Sequence, residues 1–277
     1  MTTLPTRDPA VAVVGAGMSG LCMAIALLRN GITDVTIYEK ADEVGGTWRE
    51  NTYPGLTCDV PSRVYQYTFA TKPNWTHMFS PGGEIQAYFR GVADQFGLRD
   101  RIRFGTEIVS ARFENGRWLL RTGAGDESAV DFLISATGVL HHPRMPSIAG
   151  LDDFAGHVFH SARWDHSVEL AGRRIAVIGN GSTGVQLVCG LAGVAGRVAL
   201  FQRTAQWIVP MPNPRYSGFA SRTHRAVPWL DRLAYRAYSL VFDTFAVALT
   251  KPGLRRRAMG ALCRASLRRV RDPGLRA

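Results

Sequence analysis

Two glycine-rich runs are the residues whose spacing indicates chemistry most directly. One extends from Gly15 to Gly20 and the other from Gly179 to Gly184, and both have the pattern GxGxxG. In this pattern the first glycine permits a tight turn, the second lets the backbone approach a pyrophosphate, and the third lets a helix pack closely on a strand. The helix that follows directs its first N–H groups at phosphate. Both runs therefore predict dinucleotide-binding turns.

A charged residue follows each run at the same spacing in the sequence. Glu39 stands as far after Gly15 as Arg203 stands after Gly179. A carboxylate accepts hydrogen bonds from the free hydroxyls of a ribose, whereas a guanidinium suits a 2′-phosphate. We therefore expect the two residues at equivalent positions, with FAD or NAD in the first unit and NADP in the second. The alternative for Arg203 is a solvated residue at the end of a strand.

The elements that must position these residues have the order strand, turn, helix, strand in both units. Short runs of small and β-branched apolar residues precede each turn and follow each helix, as in buried parallel strands. Apolar residues at helical spacing follow each glycine run, and Asn30 with Gly31 supplies a stop signal for the first helix. The predicted strands are residues 10–14, 35–38, 174–178 and 197–201, and the predicted helices are residues 21–28 and 185–191.

A small β insertion is predicted between the two units. Asn115 and Gly116 form a strong hairpin signal because both turn positions require positive φ. Residues 107–113 and 117–122 flank this turn, and residues 130–134 form a strand that returns to the first sheet. The sequence therefore predicts an α/β fold with two Rossmann-like dinucleotide-binding units and a small antiparallel β insertion.

Composition narrows the class of protein. The chain has 277 residues, 46% of them hydrophobic, and 29 glycines, which excludes collagen-like, low-complexity and disulfide-scaffold classes. The four cysteines have no CxxC spacing, so we expect reduced thiols and no metal site. The first residues lack the pattern of a signal peptide, and the apolar stretch 233–249 falls short of the ~20 residues of a spanning helix. We expect a soluble cytoplasmic protein.

The net charge of +11 is confined to the C-terminal segment. Residues 1–209 contain 19 basic and 19 acidic side chains, whereas residues 210–277 contain 14 basic and three acidic ones. We interpret this segment as a partial helical insertion, with helices at residues 229–249 and 254–270. A second interpretation is peripheral contact of its arginines with anionic lipid. No nucleic-acid partner is predicted, because interleaved aromatic residues and a reading motif are lacking. The apolar faces expected to pack on the second unit consist of Leu233, Ala237, Leu240 and Val241, and of Leu254, Ala258, Ala261 and Leu262.

Three further segments resemble a known family. Gly45 to Trp48 and Tyr53 to Asp59 are similar to the isoalloxazine-side segments of flavin-containing and Baeyer–Villiger monooxygenases. Residues 154–165 match the family fingerprint FxGxxxHxxxW[PD], and a tryptophan followed by aspartate is typical of the Baeyer–Villiger branch. The chain thus resembles the class B flavoprotein monooxygenases. The fingerprint residues are Phe154, Gly156, His160, Trp164 and Asp165.

The resemblance implies a chemistry with FAD and NADP(H) as cofactors. NADPH reduces FAD, O₂ adds to the reduced flavin, and the resulting peroxyflavin transfers one oxygen atom to a small organic substrate. A ketone would give an ester or a lactone, and a sulfur or nitrogen centre would be oxidised. Such a peroxide needs a dry pocket with fixed charges around it. Disulfide reductases share the two-nucleotide layout, but their reactive cysteine pair has no counterpart here.

The resemblance also implies site residues. Asp59 corresponds to the family's aspartate beside the flavin, which holds a catalytic arginine; the alternative for Asp59 is a helix or turn cap. His160 and Trp164 correspond to an interdomain linker with a conformational or NADP-ordering role. The residues that match the FAD side are Gly15, Gly17, Gly20, Glu39, Gly46, Thr47, Trp48 and Tyr65. Those that match the NADP side are Asn180, Gly181, Ser182, Thr183, Gly184, Gln186, Arg203 and Thr204.

One departure from the family affects the expected activity. The family's catalytic arginine follows its helical insertion, and no matching segment follows here, so we expect a C-terminally truncated chain. The expected domains are residues 1–143 as the N-terminal part of an FAD-binding domain, residues 144–209 as a linker with the fingerprint and the first part of an NADP-binding domain, and residues 210–277 as an incomplete basic insertion. Two hypotheses follow: an FAD- and NADPH-dependent monooxygenase, or a truncated relative that binds nucleotide without turnover.

Overall fold

The structure, a computed structural model, describes residues 7–208, 211–227 and 229–268. Its strands are β1 (Val11–Val14), β2 (Val35–Tyr38), β3 (Ile102–Arg103), β4 (Ile108–Glu114), β5 (Arg117–Thr122), β6 (Glu127–Val130), β7 (Phe132–Ser135), β8 (Arg174–Ile178) and β9 (Arg197–Phe201). Its α-helices are α1 (Met18–Arg29), α2 (Thr47–Glu50), α3 (Gly82–Gln95), α4 (Ser182–Leu191), α5 (Gly218–Ala226), α6 (Trp229–Thr250) and α7 (Leu254–Leu267).

These elements form two compact units. The first comprises the chain up to Tyr53 together with Gly82–Val168, and the second comprises Pro54–Pro81 together with the chain from Glu169 onward. The segment that carries Asp59 therefore groups with the second glycine run, and the fingerprint groups with the first. The expected domain boundaries at residues 143 and 209 stay predictions.

A parallel sheet forms the centre of the first unit. Its strand order is β3-β2-β1-β7, and Val11 of β1 pairs with Val35 on one side and Phe132 on the other. Ala12 and Val13 are fully buried, as expected for a central strand whose sheet is covered on both faces. Helix α1 ends at Arg29, where Asn30 donates a side-chain hydrogen bond to the carbonyl of residue 26. The predicted strand, turn, helix, strand order is confirmed here.

The antiparallel insertion is also present in the first unit. Strands β4, β5 and β6 form a three-stranded sheet, and the hairpin between β4 and β5 has φ of 50° at Asn115 and 79° at Gly116. Both values are positive, as the sequence signal predicts. The two sheets share a hydrophobic cluster, so the insertion packs on the parallel sheet. Its buried members are Ala12, Tyr38, Leu120 and Val130.

The strand predicted at residues 130–134 is confirmed as β7, which returns to the first sheet, but it begins at Phe132 because Val130 belongs to the preceding strand. Val130 ends β6, which pairs with β5, whereas Phe132 begins β7, which pairs with β1. Asp131 lies at the corner between them, and its carboxylate accepts a hydrogen bond of 2.9 Å from the backbone N–H of Ala10. Its backbone N–H donates in turn to the Ala10 carbonyl at 2.9 Å. This polar residue thus turns the chain from one sheet into the other.

The second unit contains a parallel pair of strands around the second glycine run. β8 and β9 pair in register from Arg174 with Arg197 to Ile178 with Phe201, and α4 connects them. The segment 54–81 packs in the same unit. The Asn213 side chain holds it by donating to the Phe79 carbonyl and accepting from the Phe79 N–H, both at 2.9 Å. The predicted strands 174–178 and 197–201 are confirmed.

The basic segment forms the predicted helices, but the predicted packing faces are wrong. All eight residues expected to face the second unit are exposed. A buried ion pair between Arg63 and Asp231 orients the start of α6. The helix face that continues from Asp231 carries four aromatic residues, and this face is the less exposed one. The buried or half-buried residues of this face are Asp231, Ala234, Tyr235, Tyr238, Phe242, Phe245 and Ala248.

The ends of these helices are close to the expected ones. Helix α6 ends at Thr250 and helix α7 at Leu267, and the predicted end at residue 270 lies outside the described residues. Among the described residues, no helix combines the length and the apolar character that a membrane span requires.

Candidate functional site

The two glycine turns have the same backbone geometry. Gly15 has φ of +105° and Gly179 has φ of +108°, in the left-handed region that favours glycine. The Gly15 N–H donates to the Tyr38 carbonyl at 2.8 Å, and the Gly179 N–H donates to the Phe201 carbonyl at 2.9 Å. Each first glycine therefore closes a turn between the two strands of its unit.

The third glycine of each run is required by the packing of the chain itself. A Cβ on Gly20 would lie 1.8 Å from the Gly15 carbonyl oxygen, and a Cβ on Gly184 would lie 2.0 Å from the Gly179 carbonyl oxygen. Both distances are far below any real carbon–oxygen contact. Helix and strand can approach this closely because no side chain intervenes.

The packing of the chain itself does not require the second glycine of either run. A Cβ on Gly17 would make only an ordinary contact of 3.6 Å with Gly46, and no atom of the described chain lies within 4 Å of one on Gly181. Their φ values of −80° and −68° are open to any residue. Gly17 and Gly181 are the N-cap residues of α1 and α4, so neither helix has an N-cap side chain that bonds its first N–H groups. The vacant space and the uncapped helix N-terminus together fit a bound phosphate group.

Glu39 is held beside the first turn by two backbone hydrogen bonds. Its carboxylate is buried and accepts from the Ala16 N–H at 2.7 Å and from the Ala41 N–H at 3.0 Å. A carboxylate can accept about four hydrogen bonds, so capacity remains for two hydroxyl groups. The side chain is therefore fixed in place with acceptor capacity to spare.

The predicted equivalence of Glu39 and Arg203 is wrong by one residue. The residue after the turn's partner Tyr38 is Glu39, whereas the residue after Phe201 is Gln202. The strand register explains the offset. The first unit pairs residue 11 with residue 35, and the second pairs residue 174 with residue 197, so the second crossover is shorter by one residue. A neutral amide thus occupies the carboxylate position, and Arg203 follows it.

Asn180 ties the second turn to the residues around Arg203. Its side-chain amide donates to the Gln202 side chain and to the Thr204 carbonyl, both at 2.7 Å. Arg203 and Thr204 are exposed at the end of β9. The strand end thus presents an exposed guanidinium, a group that can hold a phosphate. Ser182, Thr183 and Gly184 form the first turn of α4 beside this group.

A cavity of about 770 Å³ lies in the first unit. Lys40 and Ala41, which follow Glu39 in the sequence, line part of its wall. Small-ligand sites commonly have volumes of about 300–1,000 Å³. Arg163 and Trp164 of the fingerprint segment line another part of its wall. The structure thus brings the fingerprint segment to the same cavity as Lys40, the residue after Glu39, and the sequence did not predict this.

Arg49, Glu50 and His141 also line this cavity. Nδ1 of His141 lies 2.7 Å from a Glu50 carboxylate oxygen, so Nδ1 carries the proton that it donates. Nε of Arg49 and Nε2 of His141 are buried and have no partner among the described residues. Buried polar atoms are normally hydrogen-bonded. A polar ligand in the cavity could supply the missing partners.

The Gly46, Thr47 and Trp48 segment lies against the first turn. The Gly45 N–H donates to the Ala16 carbonyl at 3.1 Å, and a Cβ on Gly46 would lie 3.1 Å from the Gly17 Cα. Gly46 has φ of +51° and is the N-cap of the short helix α2, in which Trp48 is buried and Thr47 is exposed. Several residues predicted for the FAD side are therefore brought together in one unit.

Asp59 and Gln186 are brought together in the second unit. The Gln186 amide donates to a carboxylate oxygen of Asp59 at 2.6 Å and to the Thr57 carbonyl at 3.0 Å. The Thr57 N–H donates to the Gln186 side-chain oxygen at 3.3 Å. Tyr65 is half-buried in the same segment, where its N–H donates to the Pro61 carbonyl at 3.0 Å. The sequence assigned Asp59 and Gln186 to different cofactors and did not predict their contact.

Gly55 and Gly190 are close-packing positions beside the candidate site that the sequence reasoning missed. A Cβ on Gly55 would lie 2.5 Å from the Gln186 carbonyl oxygen, and a Cβ on Gly190 would lie 2.6 Å from the Pro54 carbonyl. The Asp59 segment therefore touches α4 backbone to backbone. A glycine inside a helix costs about 1 kcal/mol relative to alanine, and that unexplained loss was the available signal for Gly190.

His160 and Trp164 have local roles in the fingerprint segment. Nδ1 of His160 accepts a hydrogen bond of 3.1 Å from the Ala162 N–H and caps the 3₁₀ turn Ser161–Arg163. The Trp164 ring packs edge-on against Phe159 with the ring centroids 5.0 Å apart. These contacts fix the Trp164 side chain at the cavity wall.

The remaining fingerprint residues shape the chain on either side of that turn. A Cβ on Gly156 would lie 2.4 Å from a ring carbon of Phe154, so glycine is needed where this ring folds back. Asp165 accepts hydrogen bonds from the Ser167 hydroxyl at 2.6 Å and from the Ser167 N–H at 2.9 Å. These bonds lower the pKa of Asp165 below its ordinary value.

Cys58, directly before Asp59, is an inert thiol. It is buried, and burial raises its pKa to about 11. The thiolate is the reactive form of cysteine, so this side chain stays neutral and unreactive near neutral pH. Cys22, Cys58, Cys189 and Cys263 are all free thiols.

Sequence comparisons place the chain among flavoprotein monooxygenases. Residues 8–218 match the family described as FMO-like, flavin-binding monooxygenase-like. The chain is 75% identical over 270 residues to an uncharacterized monooxygenase of Mycobacterium tuberculosis, covering 98% of this chain and 54% of the relative. It is 42% identical over 277 residues to a Baeyer–Villiger monooxygenase of Streptomyces coelicolor, covering 96% of this chain and 52% of the relative. The chain thus spans about half the length of these relatives.

Solved structures agree with this placement. The closed crystal structure of cyclohexanone monooxygenase superposes with a TM-score of 0.81 at 27% identity, covering 98% of this chain and 59% of that chain. An oxidized steroid monooxygenase bound to NADP superposes with a TM-score of 0.71 at 40% identity, covering 79% of this chain and 43% of that chain. With the family match over residues 8–218, we conclude that the chain belongs to the flavin-binding monooxygenase-like family and has Baeyer–Villiger monooxygenases among its relatives.

Proposed function

We propose that the first unit binds FAD and the second binds NADPH, as the two nucleotide sites of a monooxygenase. The reaction would transfer one oxygen atom from O₂ to a ketone, in a Baeyer–Villiger oxidation, or to a sulfur or nitrogen centre. One observation carries the proposal. Two turns of the same geometry each leave room at the middle glycine, with open space at Gly181 and only an ordinary 3.6 Å contact at Gly17. A carboxylate follows the first turn, whereas Gln202 and Arg203 follow the second.

On the FAD side, the chain's own residues fit a flavin adenine dinucleotide. The N-terminus of α1 and the space at Gly17 would hold the pyrophosphate. Glu39 would accept hydrogen bonds from the ribose diol, and the cavity beside Lys40 would take the adenosine. The orphaned nitrogens of Arg49 and His141 support a polar ligand in that cavity.

On the NADPH side, the turn at Gly181 and the N-terminus of α4 would hold the pyrophosphate. Arg203 and Thr204 would bind the 2′-phosphate, and Gln202 supports this choice because a neutral amide does not repel the phosphate. Asn180 would keep the turn and the strand end together through its two hydrogen bonds.

When bound, the flavin supplies the redox chemistry that joins NADPH, O₂ and the organic substrate. Asp59 would orient a cationic partner near the reacting atoms, as its match to the family implies. One of its carboxylate oxygens is held by Gln186, and the described residues provide no partner for the other. His160 and Trp164 would order the linker that precedes the second unit.

Nucleotide titrations test this proposal. Replacing Arg203 with Ala removes a charge-assisted hydrogen bond of about 1.5–3 kcal/mol, so the Kd for NADP⁺ should rise roughly 10- to 100-fold while the weaker Kd for NAD⁺ stays the same. Arg225→Ala, an exposed arginine on α5, is the matched control and should leave both constants unchanged. Equal binding of NADP⁺ and NAD⁺ by the unsubstituted chain would refute the assignment of the second site.

A second candidate function is nucleotide binding without turnover. The observation behind it is that both glycine turns are formed, whereas Asp59 is held by Gln186 and by no cation among the described residues. Adding NADPH to the FAD-loaded chain under air separates the two candidates. NADPH oxidation with an oxygenated ketone or sulfide product supports the monooxygenase, whereas bound NADPH that persists supports the second candidate.

A further inference from the structure

We infer that Gln186 is a positioning residue that couples occupancy of the second dinucleotide turn to the Asp59 carboxylate. The inference rests on the proposed function, which places NADPH at that turn and gives Asp59 its role. It adds a connection within the second unit between the residues proposed for the two cofactors.

The hydrogen bonds of the Gln186 amide leave one possible orientation. Its nitrogen faces two acceptors, the Asp59 carboxylate at 2.6 Å and the Thr57 carbonyl at 3.0 Å, and its oxygen faces the Thr57 N–H. An amide flip that exchanges the oxygen and the nitrogen would place the oxygen against both acceptors and lose all three bonds. Gln186 therefore holds Asp59 from one side and leaves the second carboxylate oxygen open.

Helix α4 and the Asp59 segment are in direct backbone contact. Gly55 and Gly190 let backbone touch backbone, so any side chain there would force the two segments apart. Gln186 lies one helical turn beyond Ser182, the first residue of α4. Phosphate binding at the start of α4 would change the orientation of the Gln186 side chain on the same helix face, and with it the hydrogen bond to Asp59, while the backbone contact at Gly55 and Gly190 stays in place.

The test uses backbone NMR of the FAD-loaded chain titrated with 2′,5′-ADP. This probe carries a 2′-phosphate and a 5′-phosphate but has no nicotinamide, so it cannot touch Asp59 through that ring. We expect saturable shift changes at Ser182, Thr183 and Gly184 and also at the amide of Asp59. In Gln186→Leu the changes at the turn should remain, and the change at Asp59 should fall at least about fivefold.

Two further variants keep the result interpretable. Gln186→Glu retains the length of the side chain and an acceptor for the Thr57 N–H, but it cannot donate to Asp59, so it should lose the Asp59 response as well. Gln95→Leu, an exposed glutamine at the end of α3, is the control and should respond like the unsubstituted chain. The Glu variant decides the question even if the Leu variant fails to fold.

The outcomes separate this inference from the proposed function. An Asp59 response that persists in Gln186→Glu overturns the coupling while the nucleotide site stands. An absence of shift changes at residues 182–184 in the unsubstituted chain overturns the NADPH site, and the coupling with it. A lost Asp59 response beside an intact response of the turn supports the coupling.

Discussion

Replacing the middle and third glycines of the second run separately tests whether each has the role that the geometry assigns. Gly181→Ala adds a methyl group in space that no atom of the described chain approaches within 4 Å, at a φ of −68° that alanine adopts readily. Gly184→Ala adds the same methyl group 2.0 Å from the Gly179 carbonyl oxygen. The two variants add the same methyl group, which enters open space at position 181 and clashes with backbone at position 184.

The expected free-energy changes have opposite signs. At Gly184 the clash involves backbone, which cannot rotate away, so the cost should be about 3 kcal/mol, the upper end of the usual range for overpacking. Alanine's helix preference returns about 1 kcal/mol, which leaves a net loss of about 2 kcal/mol and a Tm lowered by about 4–8 °C. At Gly181 the alanine makes no clash and restricts the unfolded chain more than glycine does. The free energy of unfolding should therefore rise by about 0.4–1 kcal/mol.

Thermal unfolding and calorimetric titration with NADP⁺ measure both effects. Gly181→Ala should unfold at an unchanged or slightly higher Tm and bind NADP⁺ at least about tenfold more weakly, because the methyl group occupies the space for phosphate. Gly184→Ala should show the lower Tm. Gly17→Ala and Gly20→Ala in the first unit provide the same comparison for FAD.

The reasoning fails if the middle glycine proves structural. A loss of more than about 1 kcal/mol in Gly181→Ala would mean that the chain itself uses the space. Unchanged NADP⁺ affinity in a stable Gly181→Ala variant would mean that no ligand group enters it. Either result removes the observation on which the second site depends.

Two further predictions concern stability. Asp231→Ala leaves the guanidinium of Arg63 buried without its partner and should lower the free energy of unfolding in urea by about 3–5 kcal/mol, whereas a loss below about 1 kcal/mol would contradict the role of this pair in anchoring α6. Burial raises the pKa of the Cys58 thiol to about 11, so the folded state favours the neutral thiol. Stability should therefore fall as the pH rises from about 9 to 11, and Cys58→Ala should remove that part of the slope; an unchanged slope would contradict it.

Local patterns predicted much of the fold because neighbouring residues decide it. The strands at residues 174–178 and 197–201 follow from runs of apolar residues bounded by turn signals, and Asn115 with Gly116 specifies its hairpin through positive φ alone. The glycine runs could be placed for the same reason, since each run determines its own turn.

Register and long-range contacts could not be read from the same patterns. Equal spacing suggested that Arg203 occupies the position of Glu39, but spacing does not reveal that the second crossover is one residue shorter, which puts Gln202 there. The contact of Gln186 with Asp59 joins residues 127 apart in sequence, and neither residue carries a local sign of the other.

The packing face of α6 shows how one buried contact can override a pattern. Counting aliphatic residues favoured Leu233 and Leu240, which are exposed. An equally periodic row of aromatic residues faces inward, because Asp231 must reach Arg63 in the distant segment 54–81. Both faces of α6 have a helical period in the sequence, so the period alone could not predict which face is buried without knowledge of the contact with Arg63.

An equilibrium titration of the purified chain with FAD tests the central claim, that two distinct nucleotide sites lie in the two units. We predict one FAD bound per chain, displaced by ADP through the site at Glu39 and not displaced by 2′,5′-ADP, which should bind at the same time in the second unit. Failure of the folded chain to bind FAD, or displacement of FAD by 2′,5′-ADP, would contradict the account.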